Sequence, residues 1–198
     1  MTKTLEFCFD FGSPTTYLAW TQLPRLAEET GAEIVQTPVL LGGLFKATGN
    51  QGPAMVPAKG KHMFTDLTRF AKHYGVPLAF NPNFPINTLL LQRGAVALQG
   101  IERYDDYLRT IYEAMWVEPK NLNDPMEVAK ALSAGGFDPQ ELMALASQPE
   151  VKETLKANTE RAVARGAFGA PTFFVGEEMF FGQDRLDFVI DALRLRQG

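Results

Sequence analysis

The fold of this chain is decided by residues 5–20, which read Leu5-Glu6-Phe7-Cys8-Phe9-Asp10-Phe11-Gly12-Ser13-Pro14-Thr15-Thr16-Tyr17-Leu18-Ala19-Trp20. The apolar start predicts a strand, and the run from Pro14 onward predicts a helix. Ser13 before Pro14 is a strong helix-start signal, because serine caps free amides and proline loses nothing at the first helical position. The unpaired N–H groups there also attract anions. Ser13 is therefore either an ordinary helix cap or part of an anion-binding site.

Composition excludes several classes of function. A net charge of -4 and a pI near 5.3 argue against a nucleic-acid binder. The single cysteine, Cys8, permits neither an intramolecular disulfide nor a Cys-rich metal site, and His62 and His73 stand too far apart to chelate one metal. The chain has no signal-peptide pattern and no apolar stretch long enough to span a bilayer. We therefore expect a cytoplasmic protein that binds no nucleic acid, no membrane and no metal.

The order of predicted elements indicates a discontinuous domain. A helix over 14–30 ends before Gly31, and a strand follows at 32–37. Residues 38–60 are rich in glycine and proline and predict an irregular binding loop. Helices are then predicted over 61–74, 86–99, 104–116, 125–134, 139–146 and 150–165. A hairpin with strands at 172–175 and 179–181 precedes a last helix that begins near 184. We predict a thioredoxin-like α/β domain from residues 1–60 and 168–198, with an inserted all-α-helical domain from residues 61–167.

A second motif opens the predicted hairpin and reads Gly169-Ala170-Pro171-Thr172. A thioredoxin-type fold places a cis-proline here, beside the start of its first helix. The sequence does not reveal the isomer, and Pro171 could simply begin a strand. If the fold is right, the backbone of Ala170 faces Ser13 and offers its N–H and C=O to an extended peptide.

The residues at the start of the first helix exclude one familiar chemistry. Redox members of this superfamily begin that helix with Cys-Pro-X-Cys, whereas this chain reads Ser13-Pro14-Thr15-Thr16. Disulfide exchange needs an attacking thiolate, which is missing. A serine hydroxyl can instead donate to a thiolate supplied by a ligand. Such a bond contributes about 1.5–3 kcal/mol, or roughly one to two units in the pKa of the bound thiol.

Four blocks of the chain together resemble one enzyme family. The blocks are residues 9–19, residues 48–60, residues 168–172 and residues 181–186. In this order they resemble the 2-hydroxychromene-2-carboxylate isomerases and the related kappa-class glutathione transferases. The resemblance implies a DsbA-like thioredoxin fold and glutathione as the cofactor.

The resemblance also implies the roles of individual residues. Ser13 would be catalytic and lie beside the glutathione sulfur. Ala170 and Pro171 would pair with the cysteinyl part, and Asn50 and Lys59 would lie near the glycine end. The clamp around the γ-glutamyl end would be formed by Phe181, Gly182, Gln183 and Asp184. By the residues alone, Asp184 could equally be a helix cap, and Lys59 a solvated loop charge.

The implied reaction interconverts a cyclic hydroxychromene carboxylate and an open-chain benzylidene pyruvate, so the substrate is a small aromatic carboxylate. Reversible thiolate addition turns a double bond into a rotatable single bond. Lys46 is a candidate for binding the substrate carboxylate, and Phe84 stands where the isomerases carry a tyrosine. Two alternatives stay open: a kappa-like transferase or peroxidase, and a non-catalytic thiol- or peptide-binding module. We also expect a homodimer.

Overall fold

A computed structural model describes residues 3–195 and contains one mixed sheet of four strands in the order β2-β1-β3-β4. The strands are β1 (Thr4–Phe9), β2 (Glu33–Pro38), β3 (Thr172–Val175) and β4 (Glu178–Phe181). Strand β1 pairs parallel with β2 and antiparallel with β3, and β3 pairs antiparallel with β4. The predicted strand–helix–strand unit and the predicted hairpin are therefore both confirmed. The central pair joins residues from the two ends of the chain.

Helices surround this sheet. They are α1 (Pro14–Trp20), α2 (Leu23–Thr30), α3 (Leu41–Thr48), α4 (Pro57–Tyr74), α5 (Leu89–Leu98), α6 (Tyr104–Trp116), α7 (Pro125–Ala134), α8 (Pro139–Ala146), α9 (Pro149–Ala164) and α10 (Leu186–Leu195). Short 3₁₀ turns cover Pro53–Met55 and Gln183–Arg185. Helices α3 to α9 separate β2 from β3 in the chain. The outermost residues of the predicted α/β domain, 1–2 and 196–198, lie outside the described residues.

Strand β1 is buried on both faces, as its near-continuous apolar sequence predicts. Phe7 and Phe9 belong to the large core shared with the helices, and both are fully buried. Cys8 points to the opposite face and packs in a smaller cluster with Phe174 and Leu44. Burial, with a smaller effect of the nearby Glu6 charge, raises the pKa of the Cys8 thiol to about 12. Cys8 is thus a buried thiol whose protonated form the fold favours.

The predicted first helix is wrong in one respect, since it is two helices. Helix α1 ends at Trp20, and α2 begins at Leu23. Pro24 is the physical reason, because it has no N–H to donate and its ring clashes with the carbonyl of the residue four positions earlier. The second helix ends at Gly31 as predicted, with φ at 66°.

The prediction of an irregular loop over residues 38–60 is also wrong. Helix α3 occupies the middle of this segment, and α4 begins at Pro57 rather than near Lys61. Two glycines in α3 lower helix propensity, but packing compensates for this. A Cβ at Gly43 would lie 3.0 Å from Thr159 Cγ2, so the glycine lets α3 approach α9 closely. Tertiary contact therefore outweighs the local preference.

Three other predicted boundaries shift. Helix α5 begins at Leu89 rather than near Ile86, and the last helix begins at Leu186 after a 3₁₀ turn. Helix α9 covers Pro149–Ala164 rather than 150–165. At the start of α5, the Asn87 Oδ1 atom accepts from the Leu89 N–H over 3.1 Å. This hydrogen bond fixes the start of α5 at Leu89. The periodicity of apolar residues does not reveal such a bond, so it placed the start too early.

Hydrogen bonds fasten the helical segment to the end of β1. Trp116 Nε1 donates to the Phe11 carbonyl over 2.8 Å. Gln92 Nε2 donates to the carbonyls of Phe9 and Val39, each over 2.7 Å. These donors are buried, so their bonds hold the loop after β1 in one conformation. Within residues 3–195, no helix is both long enough and apolar enough to cross a membrane.

Candidate functional site

Ser13 lies at the start of α1, where residues 10–13 lead out of β1. Its Oγ atom accepts from the Thr16 N–H over 3.2 Å, so the predicted helix cap is confirmed. Only 5% of the residue is exposed. Pro14 follows at the first helical position, as the sequence indicates. The hydroxyl proton of Ser13 is left for another acceptor.

That acceptor is the backbone of the second motif. Ser13 Oγ donates to the Ala170 carbonyl over 2.8 Å, and the Ala170–Pro171 peptide bond is cis. Pro171 is thus in the isomer that a thioredoxin-type fold requires. Within residues 3–195, the Ala170 N–H has no hydrogen-bond acceptor. Two motifs at opposite ends of the sequence therefore meet at one point, with an unpaired donor beside them.

Thr15 completes this contact, and the sequence reasoning missed it. Its hydroxyl lies 2.8 Å from Ser13 Oγ, where either oxygen can donate. Its proton can turn instead to the Ala170 carbonyl, whose oxygen lies 3.4 Å from Thr15 Oγ1. The sequence gives no signal for this contact, because side chains two positions apart do not share a helix face.

Asp10 holds the loop before α1 by hydrogen bonds, and the sequence reasoning did not identify this residue either. It is 1% exposed. Its carboxylate accepts from the Gly12 N–H over 2.8 Å, from the Thr88 hydroxyl over 2.7 Å and from the Leu41 N–H over 2.8 Å. Burial raises its pKa, and these three hydrogen bonds offset part of that effect. Because α3 has no side-chain cap of its own, Asp10 performs that function across the chain.

A cavity of about 310 Å³ opens above Ser13. Eight of the predicted ligand-binding residues line it: Ser13, Asn50, Phe84, Ala170, Phe181, Gly182, Gln183 and Asp184. Its apolar wall includes Leu41 and Phe45 of α3. None of the described residues that line it is a lysine, arginine or histidine. The cavity therefore combines a polar floor with an apolar wall and has no cation of its own.

The backbone of the predicted clamp, residues 181–184, depends on one glycine. Gly182 has φ at 99°, and a Cβ there would lie 2.5 Å from Asp184 Oδ1. Asp184 also receives a hydrogen bond from Arg185 Nη1 over 2.6 Å. The carboxylate is thus held close to the backbone at the rim of the cavity.

Asn50 connects the loop after α3 to the second motif. Its Nδ2 atom donates to the Phe168 carbonyl over 2.9 Å, and its Oδ1 atom accepts from the Gln51 N–H. Phe84 reaches the cavity from the helical segment, on a loop that contains the cis Phe84–Pro85 bond. Both residues therefore lie where the resemblance implies a ligand.

The two predicted lysines lie outside this cavity. Lys59 lines an adjoining groove of about 540 Å³ together with His62. This groove shares Thr15 and Gln183 with the Ser13 cavity, so Lys59 lies beside that cavity, as does Arg185, which pairs with Asp184 at its rim. Lys46 lines a separate groove with Lys156.

The position of Lys46 follows from helix geometry. The sequence placed it in a loop that could direct any side chain inward, but residues 41–48 form α3. Each residue in a helix turns by about 100° relative to its neighbour. Since Phe45 faces the Ser13 cavity, Lys46 points toward α9 instead. The structure therefore does not bring Lys46 to the site.

The comparisons with known proteins agree with this architecture. The family model described as a DSBA-like thioredoxin domain matches residues 4–194. The chain is 35% identical to a 2-hydroxychromene-2-carboxylate isomerase of Sphingobium xenophagum, covering 96% of this chain and 97% of that protein. It is 27% identical to the human glutathione S-transferase kappa 1, covering 96% and 91%. A solved 2-hydroxychromene-2-carboxylate isomerase superimposes with a TM-score of 0.86 at 29% identity, covering 98% and 96%. The predicted fold class and family resemblance are confirmed.

Proposed function

Because this chain belongs to the DSBA-like thioredoxin family and, within it, to the 2-hydroxychromene-2-carboxylate isomerases, we propose that it is a glutathione-dependent isomerase of a small aromatic carboxylate. The observation that carries the proposal is the pair Ser13 and Ala170. A hydroxyl occupies the place of a redox thiol and faces an open backbone donor at the floor of the cavity. Such a site activates a thiol that arrives with a ligand.

The donors and acceptors of the site fit glutathione. An extended peptide needs backbone partners, and Ala170 offers an unpaired N–H and a carbonyl that can accept a second bond. Its ammonium needs an anion, which Asp184 supplies at the rim. Asn50 offers an amide at the other side of the same cavity. Lys59 in the adjoining groove suits a terminal carboxylate.

Glutathione, when bound, supplies a thiolate that adds reversibly to the conjugated chain of the substrate, so that a double bond becomes a rotatable single bond. Ser13 contributes by donating its single hydroxyl proton toward that sulfur. Thr15 contributes by donating to the Ala170 carbonyl, which Ser13 then leaves. The start of α1 adds the positive end of the helix dipole, which favours the thiolate form.

The remaining residues select and shield the substrate. Phe45, Leu41 and Phe84 form an apolar wall that excludes water from an aromatic ring. Lys46 lies in a separate groove outside this wall, so we do not assign the substrate carboxylate to it. Phe84 has no hydroxyl, so it contacts the ring by packing alone.

A titration with glutathione tests the proposal. We expect the thiol absorbance in the ultraviolet to give a bound pKa about one to two units below that of free glutathione. Ser13→Ala should abolish the shift. With a hydroxychromene carboxylate as substrate, glutathione should be required and recovered unchanged. Turnover without glutathione, or an unshifted thiol pKa with intact binding, contradicts the proposal.

A second candidate function is a kappa-class transferase or peroxidase. It is favoured by the similarity to the kappa glutathione transferases and by Phe84, which replaces the tyrosine of the isomerases. Stoichiometry separates the two, because a transferase consumes one glutathione in each turnover. The non-catalytic module predicts binding without turnover on any electrophile.

We also propose that the protein is a cytoplasmic homodimer that acts in the catabolism of aromatic compounds. The similarity to a 2-hydroxychromene-2-carboxylate isomerase supports the role in catabolism, since the compound in that name is an aromatic carboxylate. Exposed apolar side chains such as Met126 and Ile101 in the helical segment support self-association. Light scattering on the purified protein decides the oligomeric state.

A further inference from the structure

A second cavity, which shares no lining residue with the Ser13 site, lies in the helical segment. It has a volume of about 360 Å³, within the range of roughly 300–1,000 Å³ that is usual for small-molecule sites. Helices α5, α7 and α8 form its walls, and its lining is mainly apolar, with Leu89, Leu132 and Met143 as examples. No aspartate or glutamate is among the described residues that line it.

One cation faces this cavity without a partner. Arg93 of α5 lines it, and the Arg93 side chain has no ion pair or hydrogen bond within residues 3–195. Its Nε atom is removed from water and has no acceptor. Arginine stays charged at all accessible pH values, and an unsatisfied charged donor is costly in a protein interior. The guanidinium therefore offers an unneutralised positive charge to an apolar space.

A second donor lies in the same cavity. Asn87 Oδ1 accepts from the Leu89 N–H, and its Nδ2 atom donates to no residue within 3–195. The neighbouring Asn123 is bonded at both ends of its amide, because it accepts from the Asn87 N–H and donates to the Pro85 carbonyl. Arg93 and Asn87 thus supply N–H donors, and the carboxylate acceptors that would satisfy them are missing from the lining.

From this arrangement we propose that the cavity is a second ligand site, which binds a small amphipathic carboxylate through Arg93 and Asn87. The carboxylate pairs with the guanidinium, and its hydrocarbon part packs against the leucines. Bidentate pairing of arginine with a carboxylate gives both strength and orientation. This inference does not depend on the proposed isomerase activity, because the two cavities have separate linings.

Calorimetry with sodium octanoate tests the site in the full-length protein with saturating glutathione present. We expect saturable binding with a Kd of about 0.1–1 mM, weakened about tenfold or more in Arg93→Met. Arg109→Met is the matched control, since it removes an exposed guanidinium on α6 and should leave binding unchanged. Octanol, which lacks the charge, should bind more weakly than octanoate.

Equal binding by wild type and Arg93→Met overturns the proposal, and so does the lack of saturation up to about 10 mM octanoate. If Arg93→Met does not fold, the Nε–H resonance of Arg93 in the ¹⁵N-labelled wild type is followed instead. The proposal requires this resonance to shift as octanoate is added, and an unshifted resonance overturns it. If octanoate does not bind and Arg93→Met turns a dimer into a monomer, the cavity receives a carboxylate from a second copy of the chain, which also overturns the proposal.

Discussion

Ser13 donates its hydroxyl proton to the carbonyl of Ala170 over 2.8 Å, although 157 positions separate the two residues. The same oxygen caps α1 by accepting from Thr16. Ser13 thus performs a structural function with its lone pairs and keeps a proton that can be redirected. The following predictions separate these two functions.

Replacing Ser13 with alanine should remove both functions. We expect a loss of about 0.5–2 kcal/mol in the free energy of unfolding from the missing cap. We also expect a rise of about one to two units in the pKa of bound glutathione. Urea unfolding and ultraviolet titration measure the two effects. Asp138→Ala is the matched control, because Asp138 caps α8 before a proline far from the site. It should lower stability without changing the thiol pKa, and an equal pKa change in both variants contradicts the assignment.

Replacing Thr15 with valine should lower kcat/KM about tenfold while glutathione still binds. The reason is that Thr15 holds the Ala170 carbonyl when Ser13 turns toward the thiol. Steady-state kinetics and calorimetry measure the two quantities. Thr68→Val removes a hydroxyl that bonds only its own helix α4 and should leave both unchanged. If Thr15→Val has the same kcat/KM as the wild type, the Thr15 hydroxyl does not perform this function.

The carboxylate of Asp10 should make stability depend on pH. Burial raises its pKa above the ordinary value of 3.8, so the fold favours the protonated form. Its stabilising contribution is complete below pH 3.8 and is lost as the pH rises through the raised pKa. The asparagine in Asp10→Asn does not titrate, so this variant serves as the reference. We expect the wild type to lose stability relative to Asp10→Asn as the pH rises, measured as the difference between their free energies of unfolding.

Urea unfolding between about pH 3.5 and pH 7 measures this difference. The same comparison with Asp138→Asn, which changes an exposed capping carboxylate, should lack this fall. A difference that instead grows with pH indicates that the hydrogen bonds from Gly12, Leu41 and Thr88 outweigh the burial of Asp10.

Gly182→Ala should weaken glutathione binding about tenfold or more, because the new Cβ meets Asp184 Oδ1 and φ stays positive. Calorimetry measures the affinity. Gly100→Ala is the control, since Gly100 also has positive φ, at 77°, but its Cβ would meet nothing within 4 Å. Both variants should lose stability, and only Gly182→Ala should lose affinity. Equal affinities in the two variants contradict the clamp.

The two lysines should differ in their effect on catalysis. Lys59→Met should raise KM for glutathione by about tenfold, because Lys59 borders the site and suits the carboxylate at the glycine end of glutathione. Lys46→Met should leave both KM values unchanged, since α3 directs Lys46 toward α9. Steady-state kinetics with each ligand varied in turn measures both. A raised substrate KM in Lys46→Met would return the substrate carboxylate to Lys46.

The sequence by itself determined the order of the elements, the helix start at Ser13 and the missing redox cysteines. These features follow from local chemistry: a serine before a proline starts a helix wherever the chain places it. The Gly169–Thr172 motif could likewise be read as the start of a strand beside that helix, because both belong to a known order of elements. The four similar blocks then pointed to the family.

Only the tertiary structure decided which side chains meet. Thr15 reaches Ala170, and Asp10 joins Leu41 and Thr88, because three separate segments converge below the cavity. Lys46 is excluded because α3 forms against α9 despite its glycines, and one residue along a helix changes the face by about 100°. Local patterns do not contain such long-range contacts, since packing between distant segments selects the helix and its rotation.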